Sequence, residues 1–187
     1  MAISIPLTCC IDMYHQPKMT YYNTRRAYAD VLIAFIEQLD GGIALTACNE
    51  LTEGFDAQIE VSRRSFDGSV LAQQRLDCHL PGNATRQLCL LGEPVTACTD
   101  PGQEYLLARM TSKHGCTENR YFFADLHELN RLKLPEGRLE VQAQWQGDGL
   151  VLHLKALTFI HCLRIILPDL PADLSDCYFD MEPHTCR

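Results

Sequence analysis

A chain of 187 residues, 47% hydrophobic and 21% charged, has the composition of a soluble globular protein and room for one large or two small domains. Its net charge of −8, with only two basic doublets (Arg25-Arg26 and Arg63-Arg64), excludes the clustered basic footprint of a nucleic-acid binder. The longest apolar run, Val31–Ile36, is far short of the ~18 residues of a membrane span, and Met1–Cys10 lacks the basic start of a secretory signal, so no membrane partner is expected.

The first segment differs from the rest. Tyr21, Tyr22, the stem of Arg25, Tyr28 and Ala29 recur at helical spacing after Pro17, which predicts a short helix over 18–28 that buries this face. From Asp30 the period becomes two. Val31, Ile33 and Phe35 alternate with Leu32, Ala34 and Ile36, and Gly41-Gly42 turns the chain into Ile43, Leu45 and Ala47. Ala57, Ile59 and Val61 alternate with Gln58, Glu60 and Ser62, as in a half-buried antiparallel strand. Asp67-Gly68 supplies a hairpin turn into 70–80, and Pro81-Gly82 turns again into 85–91. A loop rich in Pro, Thr and Gly follows over 93–102. The strands 105–110 and 120–124 then pair across Lys113-His114-Gly115.

Residues 126–137 read as a linker whose leucines pack on something. Beyond it Leu139, Val141, Ala143 and Trp145 alternate with polar residues, Gly147-Asp148-Gly149 is a turn, and strands are expected over 150–154, 162–167 and 176–181. The expected architecture is all-β: a barrel-exit segment and short helix (1–29), a first immunoglobulin-like antiparallel β-sandwich of seven strands (30–125), the linker, and a second, truncated sandwich of four strands (138–187). Its open edge implies either a missing strand or a chain end that pairs with the first module.

Candidate sites are few. Asn49-Glu50 follows a strand, as the acid/base of many retaining glycosidases does, but a barrel of ~250 residues would be needed to use it, so a turn is expected. Asp173, Asp176 and Asp180 read as a solvated acidic face or at best a weak cation site, not a catalytic pair. The ten cysteines contain no Cys-x-x-Cys; Cys78-His79 and His161-Cys162 point to opposite strand faces, and His184 with Cys186 makes only two ligands. Reduced thiols in a cytoplasmic protein are therefore expected. Nothing fixes a Cys–His dyad, and there is no nucleophile elbow or phosphate loop. Trp145 is placed in the core by its alternation. Asn83-Ala84-Thr85 is a glycosylation acceptor only in a secretory compartment. No catalytic, cofactor or metal residue is assigned.

Several stretches together resemble the C-terminal part of the β-mannosidases of glycoside hydrolase family 2. Cys10–Val31, with Tyr21-Tyr22-Asn23-Thr24-Arg25-Arg26-Ala27-Tyr28, is similar to the family's exit from its catalytic barrel. Phe66–Val70 resembles a hairpin of its first immunoglobulin-like domain after the barrel. Asn119–Phe123 and Leu132–Pro135 resemble that domain's end and the strap beyond it, and Leu174–Pro183 a motif of the last domain. Cys177, Asp30 and His184 depart from the residues usual there, namely Asn, Pro and Gly. The resemblance implies a non-catalytic accessory pair. The family's two catalytic glutamates lie in a barrel upstream, so none maps onto this chain, and the implied partner is that barrel, within the same polypeptide. The alternatives are a free-standing carbohydrate-binding module, with Tyr121, Phe122, Tyr178 and Phe179 as the aromatic platform for a weak sugar contact, or a protein-interaction module.

Overall fold

The computed structural model describes residues 9–124, 132–167 and 173–187. These described residues are mostly strand, with one helix among them, α1 (Met19–Ala27). That helix is close to the span expected, but its face is narrower. Tyr22 is buried, whereas Tyr28 is 84% exposed, because α1 docks through Tyr22 and two arginines rather than along an apolar stripe. No helix among the described residues is long and apolar enough to cross a membrane.

Seven strands follow: β1 (Val31–Glu37), β2 (Ile43–Asn49), β3 (Phe55–Ser65), β4 (Val70–Leu80), β5 (Ala84–Leu90), β6 (Glu104–Ser112) and β7 (Gly115–Phe122). They form two antiparallel sheets, β1-β2-β5 and β4-β3-β6-β7. Ile33, Leu45 and Ala47 face Ile59, Val61, Leu106, Ala108 and Met110 in one core. The alternating positions predicted for β3 are those that enter it. At the rim, the inward-facing Asn119 of β7 donates its amide to the Ile33 carbonyl of β1 at 2.8 Å, tying the sheets together.

β6 departs from simple alternation. Tyr105, Leu106, Leu107 and Ala108 are all at most 1% exposed. Leu106 and Ala108 enter the sandwich core, while Tyr105 and Leu107 join Phe66, Ala124, Leu132 and Phe159 in a second cluster on the outer face of the sheet. A strand covered on both faces needs an unbroken apolar run.

The cover comes from the C-terminal part. It contains β8 (Leu139–Gln146), β9 (Gly149–Ala156), β10 (Ile160–Leu163) and β11 (Phe179–Met181), paired as β8-β9 and β10-β11. The last two strands are shorter than expected. Cys162 and Tyr178 adopt φ of 54° and 56°, and the β10–β11 register shifts between Ile160 and Leu163, which ends regular pairing early. Of the linker leucines, Leu132 is buried and Leu134 is partly exposed; Leu126 and Leu129 lie outside the described residues.

The chain end lies along β9 of its own module rather than pairing with the first. Leu154 and Arg187 exchange both backbone hydrogen bonds at 2.8 Å, and Ala156 bonds Thr185 and His184, so 184–187 runs beside β9 through a single bridge between Lys155 and Cys186. Trp145 is not core: it is 62% exposed, and Val141 54%. The cluster under this hairpin takes in Leu139, Leu152, Leu154 and Ala156 and stops there, because the short β10-β11 pair reaches only the base of the ribbon.

Candidate functional site

The densest concentration of buried polar chemistry lies where β11 crosses the outer face of β6 and β7. Glu182, 3% exposed, follows β11 directly. Its Oε2 accepts a hydrogen bond from Tyr105 Oη at 2.5 Å, and its Oε1 accepts from Arg120 Nε at 2.9 Å. Arg120 Nη2 lies 2.8 Å from the same oxygen, and Arg64 Nη1 is 3.6 Å from Oε2. Burial and the neighbouring Glu182 charge push the Tyr105 phenol well above its ordinary value, so it stays a donor. Burial works against the Arg120 charge, but the surrounding carboxylates, Glu182 first, more than offset it.

Asp180 extends the cluster. It accepts from His161 Nδ1 at 2.9 Å and from the Cys162 N–H at 2.8 Å. Burial alone would raise its pKa, but these hydrogen bonds hold it below the usual carboxylate range, and the same contact raises His161. The His161 ring stands edge-on to Phe122 at 5.3 Å. Beside it Phe66, Tyr105 and Phe159 pack with centroids about 5 Å apart. Gly68, at φ 95°, leaves room for Pro183, whose ring carbons would lie 3.2 Å from any Cβ placed there.

A second group anchors α1 to the same segment. Asp176 accepts from Arg26 Nη1 at 2.7 Å and pairs with Arg25 and Arg187. Arg26 also bonds the carbonyls of Cys177 and Tyr178, Arg25 bonds that of Ser175, and Tyr22 packs on Tyr178. The expectation of a solvated acidic face therefore fails for Asp176 and Asp180, which are turned to cations; Asp173 is exposed. Among the described residues no group of three or more His, Cys, Asp or Glu could hold a metal.

The remaining candidates have structural roles. Asn49 is fully buried as the organiser of a turn: its amide donates to the Glu53 and Pro81 carbonyls, and its oxygen accepts from the Leu51 N–H. Glu50 is exposed beside it. His79 pairs with Asp56 on the surface at 2.7 Å. His184 and Cys186 lie, exposed, on the terminal segment beside β9, and Asn83 lies exposed at the β4–β5 turn with φ 50°. Tyr121 bonds Glu37 and packs on Phe35, Phe122 joins the Phe66 cluster, Tyr178 meets Tyr22, and Phe179 is 7% exposed under Arg187, so these four form no platform. All ten cysteines are thiols; burial raises Cys78, Cys89 and Cys162, and burial with Glu104 pushes Cys98 up to about 11, which makes poor nucleophiles.

Two shallow grooves open on the first sandwich. One of about 390 Å³ is lined by Asp30, Ser112 and His114, whose ring is spent against Phe55 at 4.8 Å. The other, about 530 Å³, lies over Gln58, Glu60, Arg75 and Arg109, with Glu60 tied to Arg75 at 2.7 Å. Sequence reasoning passed over Glu182, Arg120 and Arg64; the one available signal was that Glu182 and Arg120 sit inside the stretches that carry the resemblance.

Residues 41–128 match the Mannosidase Ig/CBM-like domain. The solved β-D-mannosidase of Dictyoglomus thermophilum is 22% identical, with a TM-score of 0.79 over 95% of this chain and 21% of that one. The exo-chitosanase CsxA of Amycolatopsis orientalis is 14% identical, with a TM-score of 0.70 over 95% of this chain and 25% of that one. The chain thus spans about a fifth to a quarter of the length of these solved relatives. A search of curated proteins returns no match. The comparisons support the resemblance carried by the motifs: residues 41–128 match the Mannosidase Ig/CBM-like domain, and the chain shares its fold with part of a solved β-D-mannosidase.

Proposed function

We propose that the chain is the non-catalytic accessory part of a β-mannosidase-like retaining glycoside hydrolase, supporting a catalytic barrel in the same polypeptide. The observation that carries this reading is the fate of the motif residues. Arg25 and Arg26 of the helix pair with Asp176, Arg120 of β7 pairs with Glu182, Asp180 pairs with His161, and Gly68 of the hairpin makes room for Pro183. Side chains consumed in this way hold a shape; they do not turn over a substrate. Retaining hydrolysis needs two carboxylates about 5–5.5 Å apart in a concave site, whereas the buried Glu182 and Asp180 are each paired with arginine or histidine. The short share of the solved hydrolases that the chain spans supports the same reading.

Such a unit would serve the barrel by rigidity: α1, at the start of the described chain, is clamped to 175–178, and that segment continues into the clamp on β6 and β7. The same proposal places the protein in the cytoplasm, with its ten thiols reduced. The test is an assay of the purified chain on an aryl β-mannoside. No turnover is expected. Turnover that survives repurification and tracks the protein through a sizing column would overturn the proposal.

A further inference from the structure

The thiols of the chain differ in what they touch. Cys48 meets the Glu50 carboxylate and the Thr85 hydroxyl, Cys98 the Glu104 carboxylate, Cys162 the Met19 thioether and Cys177 the backbone of Ile165. Cys9 meets an amine: Lys18 Nζ donates to its Sγ at 3.2 Å. A carboxylate, a hydroxyl or a thioether is a poor partner for an oxidised sulfur, whereas a nitrogen condenses with a sulfenic acid to a sulfenamide. The surrounding chain holds the pair in place. The Lys18 N–H bonds the Cys10 carbonyl at 2.9 Å, and Ile11 and Pro17 form an antiparallel bridge. The Asp12 carboxylate closes the tip by accepting from the Tyr14 and Gln16 N–H groups at 2.8 and 2.9 Å. Residues 10–18 are therefore a closed hairpin loop that returns Lys18, the residue before α1, to the side of Cys9. Both side chains are half-buried, open to a small neutral oxidant.

We propose that Cys9 and Lys18 are a modification site, where hydrogen peroxide drives a reversible covalent link between Sγ and Nζ. The first step is oxidation of the thiol. The O–O bond of peroxide breaks, one oxygen adds to Sγ as a sulfenic acid, and the other leaves as water, with two electrons passing from sulfur to peroxide. The second step is condensation. The Lys18 ammonium gives a proton to solvent, and the amine attacks Sγ. The S–N bond forms, the S–O bond breaks, and the hydroxyl leaves as a second water with a proton from nitrogen. One thiol, one ammonium and one peroxide thus give one sulfenamide, two waters and one proton. Two external thiols reverse the link: they become a disulfide, and Cys9 and Lys18 are returned as thiol and amine. Because Sγ and Nζ are already in contact, the condensation needs no diffusional encounter, which favours it over further oxidation of the sulfur. The link staples the loop 9–18 at the start of α1, whose Arg26 is held by Asp176. In a reducing cytoplasm the pair rests open and closes under oxidant. The site is independent of the accessory role proposed above.

The experiment treats the folded, reduced full chain with graded hydrogen peroxide, alkylates the remaining thiols, digests with trypsin and maps the peptides by mass spectrometry. Trypsin needs a free lysine side chain, so the link is read at Lys18 itself. The expected product is a peptide running through Lys18 to Arg25, with Cys9 escaping alkylation and the mass lower by two hydrogens, apart from any oxygen added at methionine. Dithiothreitol before alkylation should restore cleavage after Lys18. Cleavage after Lys113, Lys133 and Lys155, whose amines bond carboxylates, should be unaffected at every peroxide level. Lys18→Arg keeps the cation and the trypsin site; it should be cleaved after residue 18 throughout, with Cys9 passing on to the sulfinic acid, and an unchanged melting curve would show that it folds. Full cleavage after Lys18 in a wild-type chain whose Cys9 has been oxidised overturns the proposal, whether the sulfur is found as a sulfinic acid or in a disulfide with Cys10. So does a Cys9 that stays a thiol while the other cysteines oxidise, or a loss of two hydrogens at Cys9 that persists in Lys18→Arg.

Discussion

The outer face of the sheet β4-β3-β6-β7 has two ends made of the same kinds of residue and held by different physics. At one end Glu60 pairs with Arg75, and Arg109 with Glu118, at 2.7 Å, with the arginine side chains 72% and 37% exposed. At the other end Glu182 and Arg120 pair at 2.8 Å with side chains 3% and 13% exposed. The first kind of pair competes with water and salt and is worth ~0–1 kcal/mol. The second has given up its water, so each member depends on the other. Distance does not separate them; what covers them does. A charge that is decoration at the open end becomes a clamp where β11 crosses.

The largest test of that contrast removes the buried carboxylate. Glu182→Ala leaves Arg64, Arg120 and the Tyr105 hydroxyl facing a void and should cost about 3–5 kcal/mol in urea unfolding. Arg75→Ala at the open end is the matched control and should cost no more than ~1 kcal/mol; similar losses at the two ends would erase the distinction. Next come two hairpin glycines with positive φ. Gly68→Ala meets both the left-handed penalty and the Pro183 ring at 3.2 Å, whereas Gly147, at φ 59° on the free β8–β9 turn, has nothing within 4 Å. Gly147→Ala should cost ~1–2 kcal/mol and Gly68→Ala measurably more, read as the difference between their melting temperatures.

The smallest effect is a pH dependence. His161 is raised in the folded state by Asp180, so its contribution is complete below the unfolded histidine value near 6.5 and is lost as pH rises through the elevated folded value. Asp180 is lowered, so its contribution is complete above the unfolded value near 3.9 and is lost as pH falls through the depressed one. The pair therefore stabilises most between about pH 4 and 6.5. The melting-temperature gap between wild type and His161→Gln should narrow from about pH 6 to about pH 9; a gap that stays constant would mean that the histidine acts only by packing on Phe122.

Much of the first sandwich was legible because half-buried strands print their period in the sequence. The seven strands, the turns at Gly41-Gly42 and Asp67-Gly68, and the turn role of Asn49 all follow from local rules. The clamp was not legible, because its partners are 62 residues apart for Arg120 and Glu182 and 150 for Arg26 and Asp176. Acids clustered in a short stretch look solvated until the arginines that meet them are known. Trp145 failed for a related reason: alternation says which side chains share a face, but not whether anything covers it. The strands β10 and β11 were overextended because nothing local announces a left-handed residue at Cys162 or Tyr178. The run Tyr105–Ala108 did carry the news of double burial, although not of what the second cover would be.

The central claim is that the clamp makes the C-terminal strands and the first sandwich one cooperative unit. Native-state hydrogen exchange of the full chain tests it most directly, by comparing amides of β6 (Leu106, Ala108) with those of β11 (Phe179, Met181). The account predicts that both sets open with the same free energy in wild type, and that in Glu182→Ala β11 exchanges through an easier opening of its own. Slow exchange in β6 beside much faster exchange in β11 in the wild-type chain would contradict it.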